Sequence, residues 1–170
     1  MSQNPVVQIT DLAFGGKGVA RHEGMVIFVP FTAPGDTVEV EIIQKKKKFA
    51  EGCAVRIVTP GPDRVMPPCQ YFGKCGGCAY QHLRYDAQLA AKSAQVEQTL
   101  RRVGKLAEVP MQPIIAAPNP WGYRNRIRVH RVQGQTGFFG YQSRALVDIQ
   151  QCLIAEPAVN QALKRLRNSK

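Results

Sequence analysis

The first 60 residues are short apolar runs separated by glycine and proline, a spacing that leaves no room for a sustained helical period and commits this part of the chain to strands. Candidate strands are Val6 to Phe14, Gly18 to His22, Met25 to Phe31, Asp36 to Gln44 and Glu51 to Val58. In the fourth, Val38, Val40 and Ile42 share one face while Thr37, Glu39 and Glu41 share the other, the alternation of a half-buried strand. Met25 to Phe31 is almost wholly apolar and reads as a central strand. Five strands in so short a stretch match a small closed barrel of the OB type, which hides its own edges and commonly binds nucleic acid on one face. Gly15, Gly16 and Gly18 are followed by no helical pattern, so they read as a hairpin turn and not as a phosphate loop.

Charge divides the chain in the same place. Of 23 Lys and Arg against 12 Asp and Glu, residues 1 to 60 carry seven basic and six acidic side chains, leaving nearly all of the net +11 to the rest. So large an excess points to a polyanionic partner, with RNA, DNA and acidic membrane surfaces all compatible. No run approaches the roughly 20 apolar residues of a membrane span, and the start has no signal-peptide blocks, so the expectation is a soluble, cytoplasmic monomer that does not enter membranes. Pro60-Gly61-Pro62 is the stiffest break in the sequence, which sets the expected domains at 1–61 and 62–170. The fold class is therefore mainly β with α+β: a five-stranded barrel, then a small α+β domain.

In the second part the spacing predicts a helix over Tyr85 to Val103, with Leu89, Val96, Leu100 and Val103 on one face and Gly104 at its end. A strand over Tyr123 to Val132, a hairpin partner over Thr136 to Tyr141 and a polar helix over Pro157 to Arg167 follow. On the first of these strands Arg124, Arg126, Arg128 and His130 would face one way and form a guanidinium stripe. Arginine forks onto phosphate and stacks on bases, so the stripe and the run Lys45, Lys46, Lys47 and Lys48 are the candidate RNA-binding residues, although either can also be a solvated face.

Cys69, Cys75 and Cys78 stand as C-x5-C-x2-C among Gly73, Gly76 and Gly77, whose freedom lets a backbone wrap tightly and turn N–H groups toward sulfur. Three close thiolates leave one position of a metal centre open. Cys152, at a turn between a strand and a helix, is the better candidate for it than Cys53, which reads as a small buried occupant of a barrel strand. The three-plus-one spacing favours an iron–sulfur centre over zinc without excluding zinc, and His82 reads as structural or solvated.

The order of these features is familiar: a barrel, Pro62-Asp63-Arg64, the loop Pro68 to Cys78, Gln81-His82-Leu83, a helix opening at Tyr85, and Asn119-Pro-Trp-Gly-Tyr-Arg-Asn-Arg126. It resembles the N-terminal part of the 23S rRNA uracil-5-methyltransferases, the TRAM-bearing members of the 5-methyluridine RNA methyltransferase family. The resemblance implies a TRAM domain of OB fold that helps bind RNA, here 23S rRNA. It further implies a central domain with a [4Fe–4S] cluster on Cys69, Cys75, Cys78 and Cys152. In that family a Rossmann-like C-terminal domain binds S-adenosylmethionine and bears the cysteine that attacks carbon 6 and a glutamate base. No Gly-rich loop after a strand precedes Lys170, and no residue here matches the nucleophile or the base. The expectation is therefore a cluster-bearing RNA-binding module, inactive alone, with S-adenosylmethionine bound only by an absent domain or a separate C-terminal partner. A stand-alone iron–sulfur RNA-binding or redox-sensing protein, and a zinc-stabilised structural module, are the alternatives.

Overall fold

A computed structural model describes residues 4–169. Among them, the sheet nearest the N-terminus has six strands, β1 (Val6–Gln8), β2 (Asp11–Leu12), β3 (Gly18–His22), β4 (Met25–Val29), β5 (Thr37–Lys45) and β6 (Phe49–Thr59), where five are expected. The difference lies in the first strand, which changes partners midway. β1 pairs antiparallel with β5 and β2 with β3, and at the join Ile9 N–H donates to Asp36 O at 2.8 Å while Thr10 N–H donates to Val19 O at 2.8 Å. Since β1 and β2 are the two ends of the order β1-β5-β6-β4-β3-β2, one segment closes the sheet into a barrel. Phe14 falls beyond this segment, in the turn to β3, where Gly15 and Gly16 both take φ +89°.

Val7, Ile9, Ala20, Ile27, Val29, Val38, Val40 and Ala50 fill the barrel, so the β5 alternation holds through Val40. It fails at Ile42, 37% exposed, because the β5–β6 ribbon runs out past the barrel wall. Cys53, expected buried, is likewise exposed on β6.

By spatial contacts the chain falls into two compact units, and the division is not a single cut near residue 61. One unit runs to Met66 and takes in Ala79–Ile115; the other joins Pro67–Cys78 to the chain from Ala116 onward. The Pro-Gly-Pro break does not separate domains because the next residues bind back to the barrel. Asp36, fully buried, accepts from Gly61 N–H at 2.7 Å and from the Arg64 guanidinium, whose Nη2 also donates to Phe31 O at 2.8 Å. A side chain at Gly61 would place its Cβ 2.3 Å from Pro34 O, so only glycine permits this approach.

Helix α1 (Tyr85–Arg102) belongs to the barrel unit, but through a different face from the one its apolar spacing predicts. Val96 and Val103 are 46% and 69% exposed, whereas Gln95 is buried. The Gln95 amide donates to Leu12 O and Ala13 O at 3.3 and 3.0 Å and accepts from Tyr80 Oη at 3.0 Å; beside it Ala91 packs against Leu12, Ala33 and Leu83. Small residues and one amide let the helix approach barrel backbone, which bulkier side chains would prevent.

The second unit is a three-stranded antiparallel sheet, β7 (His130–Val132), β8 (Gln135–Phe139) and β9 (Leu146–Asp148), with helix α2 (Pro157–Asn168). Gln133 and Gly134, at φ 50° and 80°, make the tight β7–β8 turn. Arg167 fastens α2 to the sheet: its guanidinium pairs with Asp148 and donates to Thr136 O and Ile149 O, both at 3.0 Å. Ile149, Ile154, Ala155 and Leu163 are buried in this unit.

Candidate nucleic-acid interface

Two cationic surfaces and one thiol-bearing loop are positioned by these elements. Lys45 ends β5 and Lys46, Lys47 and Lys48 form the tip of the β5–β6 ribbon, all four exposed. Lys46 N–H donates to Phe49 O at 2.8 Å to close the turn, and its Nζ stands 5.2 Å from the centre of the Phe49 ring. Among the described residues no ion pair joins Lys45, Lys46, Lys47 or Lys48 to a carboxylate, and the nearby Glu51 pairs with Lys17.

The expected arginine strand is not formed. Regular pairing begins only at His130, and the preceding residues are held at Gly122, whose N–H donates to Leu153 O at 3.0 Å, and at Arg124, whose N–H donates to Ile154 O at 2.8 Å and whose O accepts from Glu156 N–H at 2.9 Å. Residues 125–129 have no sheet partner, so the two-residue alternation that would align the guanidinium groups is not imposed. Arg124, Arg126 and Arg128 are nevertheless all exposed.

The cysteine loop is docked on the small sheet. Gly76 N–H donates to Phe139 O and Tyr141 N–H to Lys74 O, at 3.0 and 2.9 Å, and Tyr71 Oη accepts from Gln150 N–H at 3.1 Å. As the glycines suggest, an N–H turns to sulfur: Gly77 N–H lies 3.3 Å from Cys75 Sγ. Burial, with the neighbouring Cys152 and Cys69 adding to it, pushes the Cys75 thiol above its ordinary range, against the opposing pull of that N–H. Cys152 is set by a residue that sequence reasoning passes over. Asn160, in the first turn of α2, accepts from Cys152 N–H at 2.9 Å and donates to Cys152 O and Ala155 O, both at 3.0 Å. An amide soon after a cysteine at a helix start is the only signal of it. Cys69, Cys75 and Cys152 thus share one neighbourhood, and Cys78 is half-buried. Among the described residues, however, no group of three or more Cys, His, Asp or Glu side chains is placed to hold a metal ion, so the side chains as they stand do not fit the expected cluster. His82 is structural: it is 1% exposed, with Nε2 3.0 Å from Thr32 O.

A closed barrel with a lysine-tipped ribbon is the architecture of an RNA-binding domain, and the TRAM domain family matches residues 6–55. The chain carries a TRAM domain and is homologous over nearly its whole length to RNA uracil-C5 methyltransferases. It is 44% identical to an uncharacterized RNA methyltransferase of Protochlamydia amoebophila, covering 86% of this chain and 35% of that one. A 23S rRNA (uracil(1939)-C(5))-methyltransferase of Thiobacillus denitrificans is 39% identical over 96% of this chain and 39% of its own. Among solved structures, the tRNA (uracil-54, C5)-methyltransferase of Pyrococcus abyssi in complex with S-adenosyl-L-homocysteine aligns with a TM-score of 0.63 and 31% identity, over 95% of this chain and 35% of that one. The chain spans less than half the length of each of these proteins.

These matches correct three expectations. The stop at Lys170 suggests an absent methyltransferase domain, an expectation not sustained by the alignment of 95–96% of the chain with proteins that are methyltransferases, of whose own length it covers 35–39%. Against the expectation of a non-catalytic, cluster-bearing module, the proteins it aligns with are themselves named as methyltransferases. For the cofactor, the small molecule bound in the solved relative is S-adenosyl-L-homocysteine, and the thiols here are not gathered as a [4Fe–4S] cluster requires.

Proposed function

We propose that this chain belongs to a protein that transfers a methyl group from S-adenosylmethionine to carbon 5 of a uracil in RNA, and that the residues described here hold that RNA. The observation that carries the reading is homology along nearly the entire chain to uracil-C5 methyltransferases, together with a TRAM barrel whose ribbon ends in four exposed lysines. Ribosomal RNA is the favoured substrate, because a 23S rRNA (uracil-C5)-methyltransferase matches 96% of this chain at 39% identity.

Lys45, Lys46, Lys47 and Lys48 act as point charges on the phosphate backbone, and Arg124, Arg126 and Arg128 as forked donors to phosphates or stacking planes for bases. The test is a salt titration of RNA binding by the 170-residue chain. Each neutralised phosphate contributes roughly 0.7 to the log–log slope on single strands and roughly 0.9 on duplex. Replacing Lys45–Lys48 together by glutamine should flatten the slope by about 0.7 for every phosphate left without its ammonium partner. An unchanged slope would remove the ribbon from the interface.

A further inference from the structure

The barrel unit holds a cleft of about 580 Å³ between one face of the barrel and α1. Its walls carry three phenylalanines, Phe14, Phe28 and Phe49, with Lys17 and Arg102 among them. Phe14 is 83% exposed at the tip of the β2–β3 turn, where no core packing explains a ring of that size. Phe28 and Phe49 meet edge to face, centres 5.5 Å apart and planes at 73°, both only half-buried. Lys46 stands over the Phe49 ring, so the cleft and the lysine tip form one continuous surface. Glu51 and Asp11 also line the cleft; Glu51 is paired with Lys17 at 3.3 Å, and Asp11 Oδ1 accepts from Leu12 N–H at 2.7 Å.

We propose that this cleft takes an unpaired nucleobase from the bound RNA, stacking it on Phe14 and Phe49 while Lys46 and Arg102 meet the flanking phosphates. The inference rests on the reading that the chain binds RNA and adds where a base leaves its neighbours. Aromatic rings beside cations are what single-stranded nucleic acid requires: the rings accept any base by its π-face, and the cations follow the backbone. A duplex would offer the cleft no exposed base face, so the occupant comes from a loop, bulge or end.

The probe is a single-stranded RNA oligonucleotide with one 2-aminopurine, whose fluorescence is quenched on stacking, titrated with the 170-residue chain. Binding should quench it. Phe14→Ala, at an exposed position that folding does not need, should weaken affinity by roughly 5- to 150-fold and abolish the quench, leaving the salt slope unchanged. Arg102→Gln should instead lower that slope by about 0.7. Wild-type affinity and quench in both Phe14→Ala and Phe49→Leu, while glutamines at Lys45–Lys48 abolish binding, would show that RNA is held without this cleft and would overturn the inference alone. Failure of the wild-type chain to bind any RNA would overturn the RNA reading as well.

Discussion

Asp36 is the most consequential single residue in the barrel unit. Burial by itself would raise its pKa, but the Arg64 guanidinium and the Ala33 and Gly61 N–H groups hold the carboxylate below its ordinary value of 3.8. A carboxylate so depressed contributes stability that is fully present above 3.8 and is lost as the pH falls through its lower folded value. Asp36→Ala leaves Arg64 without its partner and should cost about 3–5 kcal/mol in a denaturant titration; a loss near zero would remove it as the clasp. His82 acts in the same direction: burial, the largest influence on it, lowers its pKa below 6.5, so its contribution is complete above 6.5 and declines as acid protonates the unfolded chain first. His82→Gln should therefore flatten the fall in melting temperature as the pH drops below about 6.5; an unaltered pH profile would contradict this. Among the thiols, Cys53 is exposed while burial raises Cys75, so alkylation followed by mass spectrometry should label Cys53 first. Faster labelling at Cys75 would contradict the burial described.

At the scale of elements, α1 shows what hydrophobic period can and cannot reveal. Its extent is legible, but its docking face is not, because the contact is made by Gln95 and Ala91 and the Val96–Val103 stripe stays outside. Gln95→Leu removes the donor to two barrel carbonyls and should cost about 1–3 kcal/mol and raise amide exchange in α1. Unchanged exchange would mean that Ala91 and its neighbours suffice. Gly104 illustrates the same limit. It follows α1 as expected, yet the positive φ belongs to Lys105, and glycine is needed because a Cβ at 104 would lie 2.6 Å from Leu100 O. The barrel strands are readable from period-two alternation and Gly/Pro punctuation, except for the split of the first at Ile9–Thr10, and in the second unit the expected strand fails at 125–129; both depend on distant partners. Asp36–Arg64, Asn160–Cys152 and Arg167–Asp148 are invisible in the sequence because each joins residues whose meeting only the fold decides.

For the whole molecule, the +11 charge and the TRAM barrel converge on RNA, and homology ties the chain to RNA uracil-C5 methyltransferases. Of the candidate site, the residue types are legible in the sequence and the geometry is not: the lysines cap a protruding ribbon as their position suggests, whereas the arginines lack their strand and the thiols their metal-binding arrangement. The most direct measurement is a map of 5-methyluridine in ribosomal RNA, by mass spectrometry, from cells in which the gene encoding this chain is deleted and then restored with wild-type or Lys45–Lys48 glutamine alleles. The account predicts that one 5-methyluridine disappears on deletion, returns with the wild-type gene and returns incompletely with the glutamine allele. An undiminished set of 5-methyluridines in the deletion strain, in ribosomal and transfer RNA alike, would contradict it.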